Sequence, residues 1–126
     1  MKLNQCTLIE PFKCSEDDSV VEVAKKLRPI NLRHIFVVNK EDYPIGIISV
    51  IDISNRVVAE AKDASKLTAK DIMSKPIDVC DINDEVEKVY QTMVEKQRVL
   101  NPVVKDKKMI GIITLPHLLR HQNEWK

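Results

Sequence analysis

A chain of 126 residues, 44% of them hydrophobic, has enough apolar material for one domain or for two small lobes sharing an interior. Its 20 basic and 19 acidic residues leave a net charge of +1, which argues against a nucleic-acid protein, whose phosphate contacts call for a basic excess. No apolar run approaches the roughly 18 residues of a membrane span, and Met1-Lys2-Leu3-Asn4-Gln5-Cys6 is too polar for a signal peptide, so a soluble, cytoplasmic protein is expected.

Residues 1–11 read as a lead-in. Phe12-Lys13-Cys14 reads as a short strand. Ser15-Glu16-Asp17-Asp18-Ser19 supplies N-caps and first-turn acids for a helix whose apolar positions are Val20, Val23, Ala24 and Leu27. Pro29 ends it. Ile35-Phe36-Val37-Val38 is β-branched and aromatic, a buried strand. A polar turn over 39–43 joins it to the strand Pro44-Ile45-Gly46-Ile47-Ile48, so the two form a hairpin. A helix is predicted from about Val50 through Ala61.

The segment 62–66 is short and polar and marks a boundary. Leu67 to Met73 reads as a short helical lead-in and Pro76-Ile77-Asp78-Val79-Cys80 as a strand. Asn83 or Asp84 is the predicted cap of a helix carrying Val86, Val89, Tyr90, Met93 and Val94. Asn101-Pro102-Val103-Val104 and Met109-Ile110-Gly111-Ile112-Ile113 make a second hairpin, with a turn one residue shorter than the first. The last helix begins near Pro116, a good first-turn residue, and carries Leu118 and Leu119.

These elements occur twice in the same order. The only two glycines, Gly46 and Gly111, lie 65 residues apart (111 − 46) in Gly46-Ile47-Ile48-Ser49-Val50-Ile51-Asp52 and Gly111-Ile112-Ile113-Thr114-Leu115-Pro116-His117. Self-similarity at a fixed period defines the architecture: an α+β chain of two βαββα repeats, 1–63 and 64–126. Neither repeat buries its sheet alone, so the two are expected to share a core about a pseudo-twofold axis. Three cysteines, Cys6, Cys14 and Cys80, with no Cys-x-x-Cys, indicate neither a disulfide framework nor a metal site. His117 and His121 stand four apart, but the segment lacks the glutamate of a zinc-protease motif and reads as a surface helix.

Three stretches carry a resemblance to a known family. The paired Gly-Ile-Ile-[Ser/Thr] segments run to Asp52 in the first copy. Leu32-Arg33-His34-Ile35-Phe36-Val37-Val38 is close to the family's Arg-His-Leu-Pro-Val-Val strand, with Phe36 where proline is usual, while Asn101-Pro102-Val103-Val104 keeps the proline. Thr68-Ala69-Lys70-Asp71-Ile72-Met73-Ser74 resembles the family's Asp-Ile-Met opening. The whole chain resembles a tandem pair of CBS (cystathionine-beta-synthase) domains, a Bateman module. The resemblance implies a regulatory, non-enzymatic module that binds AMP, ADP, ATP or S-adenosylmethionine in a cleft between repeats. It also implies a homodimer through helices and an effector protein as recipient of the signal.

Carried onto this sequence, the resemblance places Ser49 and Asp52 at a phosphate and ribose. A helix N-terminus offers free N–H groups to an anion, and an ionised carboxylate accepts from two ribose hydroxyls. Arg33 and His34 would meet phosphate, and Ile35, Ile47 and Phe12 would wall an adenine. Ser49-x-x-Asp52 reads equally as a capping box, and Arg33 and His34 as surface residues flanking a buried strand. The second copy, Thr114, His117 and Asn101, is the weaker site: His117 stands where the family has aspartate, and Val99 replaces Arg33. A dimerisation scaffold without ligand is the alternative function. A nucleic-acid binder using Lys105, Lys107, Lys108 and Arg120 is disfavoured by the balanced charge.

Overall fold

The computed structural model describes residues 1–125 and divides into two compact units, Phe12–Ile77 and Met1–Pro11 with Asp78–Lys126. Each unit has one three-stranded mixed sheet backed by helices, as the repeated pattern predicts. The elements are β1 (Lys13–Ser15), α1 (Val20–Leu27), β2 (His34–Val38), β3 (Pro44–Ser49), α2 (Val50–Ile53), α3 (Ala69–Ile72), β4 (Cys80–Asp81), α4 (Val86–Glu95), β5 (Leu100–Lys105), β6 (Lys108–Thr114), α5 (Leu115–Arg120) and α6 (Gln122–Trp125).

In the Phe12–Ile77 unit, β1 pairs parallel with β2, and β2 pairs antiparallel with β3. Because strand side chains alternate, Ile35, Val37 and Ile48 share one face. With Cys14, Val20, Val23, Leu27 and Val57 they form the core. The opposite face carries the cross-strand pairs His34–Ser49 and Phe36–Ile47. α1 starts where Ser19 Oγ accepts from Glu22 N at 3.2 Å. α2 is shorter than the sequence pattern suggests. After Ile53 the coil loosens into a π turn over Ser54–Val58, with Ala59 N donating to Ser54 O at 2.8 Å.

The other unit repeats the plan. β4 pairs parallel with β5 and β5 antiparallel with β6, over a core of Leu3, Cys80, Val86, Val89, Met93, Val103, Ile113 and Leu118. Both hairpins carry a register shift at the same place, Val37/Val38 and Val103/Val104. The predicted strand over 76–80 shrinks to Cys80–Asp81. α4 is not capped by Asn83 or Asp84. Asp84 Oδ2 instead accepts from Asp81 N at 2.9 Å, and Val86 N donates to Met1 O at 2.9 Å.

The spatial units therefore do not follow the contiguous repeats. The lead-in to each repeat packs with the other repeat's strands. Ile9 bridges Ile112, with both N–H···O bonds at 2.9 Å, and Ser74 bridges Ile47 at 2.8 and 3.1 Å. This explains the two glycines. Neither has a positive φ. A Cβ at Gly46 would strike the Met73 side chain, with Cγ at 2.8 Å, and one at Gly111 would meet Leu8 Cβ at 2.7 Å and Ile9 O at 3.0 Å. The glycines serve close approach of a crossing chain.

Candidate functional site: a strand–helix corner and an adjoining cleft

The residue types at 49 and 52 suit a helix start, and the structure builds one. Ser49 Oγ accepts from Asp52 N at 3.1 Å, while Ser49 N donates to Asp52 Oδ2 at 2.8 Å. This is a reciprocal capping box. Asp52 Oδ1 lies 3.7 Å from Arg56 Nη2, and Arg56 Nη1 donates to Ile72 O at 2.6 Å. The Asp52 side chain keeps 17% of its exposure, so it is reachable but already engaged.

Arg33 and His34 lie at the same corner. His34 is the cross-strand partner of Ser49, and Val50 N donates to Arg33 O at 3.3 Å. His34 Nδ1 pairs with Leu32 O at 2.7 Å, and the Arg33 side chain is exposed. Arg33 has φ 58°, a conformation uncommon outside glycine, held by its N–H donating to Ile30 O at 3.1 Å. Ile47 shares the face of His34 and Ser49 and is half-buried. Ile35 does not join this group. It is 1% exposed, in the core on the opposite face. Phe12 packs against that same core, its carbonyl accepting from Phe36 N at 3.1 Å.

Beside the corner lies a cleft of about 600 Å³ between α1 and α2. Its walls include Ala24, Ile30, Val50 and Ile53, with Arg28 and Arg33 among its charged lining. Of the sequence-predicted residues only Arg33 reaches it. The sequence gives α1 an apolar stripe, but nothing in the periodicity shows that the stripe stops short of filling the space beside it.

The second corner differs. Thr114 Oγ1 accepts from His117 N at 3.3 Å, and among the described residues no side chain returns the bond as Asp52 does. Asn101 is 2% exposed and donates through Nδ2 to Cys80 Sγ at 3.7 Å, so its amide is buried and already partnered. His117 instead stands over His121, ring centroids 4.7 Å apart, in a smaller pocket of about 210 Å³ with Cys6, Glu124 and Trp125. Partial burial, with the cations of His121 and Arg120, holds its imidazole below the ordinary range, against the pull of Glu124. Among the described residues no three His, Cys, Asp or Glu side chains are grouped to hold a metal ion. Burial pushes the Cys14 and Cys80 thiols up to about 12 and about 11, so both are inert at neutral pH.

Two mixed sheets with matching register shifts, crossing lead-ins and a Ser/Thr-capped helix after each hairpin define a tandem module. The family comparison agrees: the CBS domain model matches residues 8–59 and 69–124, and the chain belongs to the CBS domain family as a tandem pair. It is similar to protein MK0525 of Methanopyrus kandleri, 36% identical over 107 residues that cover 84% of this chain and 55% of that protein. It also resembles the inosine-5'-monophosphate dehydrogenase of Methanocaldococcus jannaschii, 31% identical over 127 aligned positions, 96% of this chain and 23% of the dehydrogenase. The chain thus spans about half of MK0525 and less than a quarter of the dehydrogenase. Among solved structures, the CBS domain pair of protein MJ0100 in complex with 5'-methylthioadenosine and S-adenosyl-L-methionine superposes with a TM-score of 0.75 at 24% identity, covering 100% of this chain and 98% of that one. That likeness establishes the fold. No helix among the described residues is long and apolar enough to cross a membrane.

Proposed function

We propose that the chain is a regulatory ligand-binding module, without catalysis, that senses an adenosyl compound at the Ser49–Asp52 corner. The observation that carries this reading is the meeting, at one strand–helix junction, of a hydroxyl and a carboxylate, with an imidazole at the paired strand position and the Arg33 carbonyl bonded to the first residue of α2. Asp52 is the ribose acceptor, Ser49 and the α2 N–H groups face phosphate or carboxylate, and Arg33 and His34 complete the anion contacts. AMP, ADP, ATP and S-adenosylmethionine share the features this corner reads. The complex reported for the MJ0100 pair supports the ligand class. Thr114 and His117, lacking the carboxylate, form a weaker site or none. The module works in the cytoplasm and passes its signal to an effector protein. Val94, Val99 and Leu119, exposed apolar residues of the second unit, suit pairing into a homodimer.

One observation favours the alternative, a ligand-independent scaffold: Asp52 already has Ser49 N and Arg56 as partners. A thermal-shift panel of AMP, ATP and S-adenosylmethionine at millimolar concentration separates the two. A ligand at 100 times its Kd stabilises by about 2.7 kcal/mol, and Asp52→Ala should abolish that shift while costing about 1 kcal/mol of cap stability. If no adenosyl compound moves the transition, the scaffold reading stands.

A further inference from the structure

The repeat supplies an internal control for the cleft between α1 and α2. Up to the hairpins the two copies align at an offset of 66, which places Tyr90 at Ala24 and Met93 at Leu27. After the shorter second turn the offset is 65, which places Leu115 at Val50 and Leu118 at Ile53. In the second unit the equivalent space is filled. Tyr90 and Trp125 lie with ring centroids 5.1 Å apart, Trp125 Nε1 donates to Leu118 O at 3.0 Å, and both rings pack on the core that contains Met93 and Leu118. In the Phe12–Ile77 unit Ala24 ends at its methyl group. After Val58 the chain turns off, with Lys62 N donating to Val57 O at 2.9 Å, and among the described residues no aromatic side chain lines the cleft.

The rim changes with the filling. Where the second unit has Val94 and Val99, this one has Arg28 and Arg33. Both guanidiniums are exposed, and neither meets a carboxylate among the described residues. We infer that this cleft binds a small aromatic anion: a flat ring system in the place of the Tyr90–Trp125 pair, with its carboxylate, sulfonate or phosphate on Arg28 and Arg33. The volume of about 600 Å³ falls in the range of small-molecule sites. A guanidinium can fork onto the anion and stack on the ring. The site is distinct from the Ser49–Asp52 corner, since neither Ser49 nor Asp52 lines it; Arg33 alone belongs to both.

The probe is 8-anilinonaphthalene-1-sulfonate, titrated into the folded chain by fluorescence, with near-ultraviolet circular dichroism and Tm recorded because loosely packed states also take up this dye. Saturable binding by the native chain is expected, weakening as salt rises. Ala24→Tyr, which copies the second unit, and the double variant Arg28→Gln, Arg33→Gln should each weaken it at least about tenfold, the equivalent of 1.4 kcal/mol. Asp52→Ala should leave dye binding unchanged, which separates this site from the adenosyl corner. Ala24→Leu replaces Ala24→Tyr if the larger side chain prevents folding. The inference is overturned if the native chain binds no dye, or if a well-folded Ala24 variant binds it as before. It is also overturned if sedimentation shows an oligomer that Ala24→Tyr dissociates, for then a second copy occupies the cleft.

Discussion

Gly46→Ala and Gly111→Ala are the same chemical change at equivalent positions, and the structure predicts unequal costs. Each adds one methyl group beneath a crossing lead-in. At Gly111 the new Cβ would meet Leu8 Cβ at 2.7 Å and the Ile9 carbonyl at 3.0 Å, against an optimum of about 3.5–4.0 Å. Neither atom can move without the backbone, and that backbone is fixed by two 2.9 Å hydrogen bonds between Ile9 and Ile112. At Gly46 the obstacle is mainly the outer part of the Met73 side chain, Sδ and Cγ, which has three rotatable bonds and an adaptable shape. Overpacking of this kind costs about 1–3 kcal/mol, and the lost freedom of glycine in the unfolded chain returns about 0.4–1 kcal/mol. Gly111→Ala should therefore destabilise by about 1–2 kcal/mol, and Gly46→Ala by less than about 1 kcal/mol. Urea unfolding with an unchanged m-value measures both, and Tm should fall by roughly 3–5 °C per kcal/mol. Adding Met73→Ala to Gly46→Ala should recover part of that cost in a double-mutant cycle. Should Gly111→Ala match or exceed the parent in stability, or Gly46→Ala prove the more damaging, the close-approach account fails.

Two further predictions concern the unit that contains the chain's beginning. Leu3 is fully buried in its core, so Leu3→Ala should cost about 2–5 kcal/mol in denaturant unfolding; a loss below about 1 kcal/mol would show that the lead-in is not part of the core. His117 titrates below its ordinary value of 6.5 in the folded state, first through burial and then through His121 and Arg120. The unfolded chain takes up that proton first, so the stability it contributes is present above pH 6.5 and is lost as pH falls through that value. His117→Gln should flatten the stability profile between neutral pH and mild acid, and a slope unchanged in sign and size would refute the assignment.

The order of elements and both hairpins were legible because burial on both strand faces leaves runs such as Ile35 to Val38. The repeat was legible because its period survives in Gly46 and Gly111. The corner was legible in part: Ser49, Asp52, Arg33 and His34 do meet, since a cap spacing and a strand pairing are both local. Ile35 was assigned to its wall although strand alternation turns it to the core, and Phe12, just before β1, is half-buried against that same core. Asn101, at the Ile35 position, follows the same rule. The partition into units was not legible. It depends on where residues 1–11 and 68–77 dock, and short polar lead-ins carry no periodicity to say so. The cleft escaped for a similar reason: the filling that Tyr90 and Trp125 provide comes from positions 35 residues apart (125 − 90).

The crossing lead-ins make the unit of duplication different from the unit of folding. A cut at 63/64 yields two fragments, each with a foreign arm and a missing one. The first would carry Leu3 and Ile9 with nothing to receive them, and would lack the segment that supplies Leu67 O to Val20 N and Ser74 to Ile47. Such fragments are built to complement each other rather than to persist alone. A single ancestral repeat would have met the same shortage, and a second copy, fused or separate, is what supplies the arm.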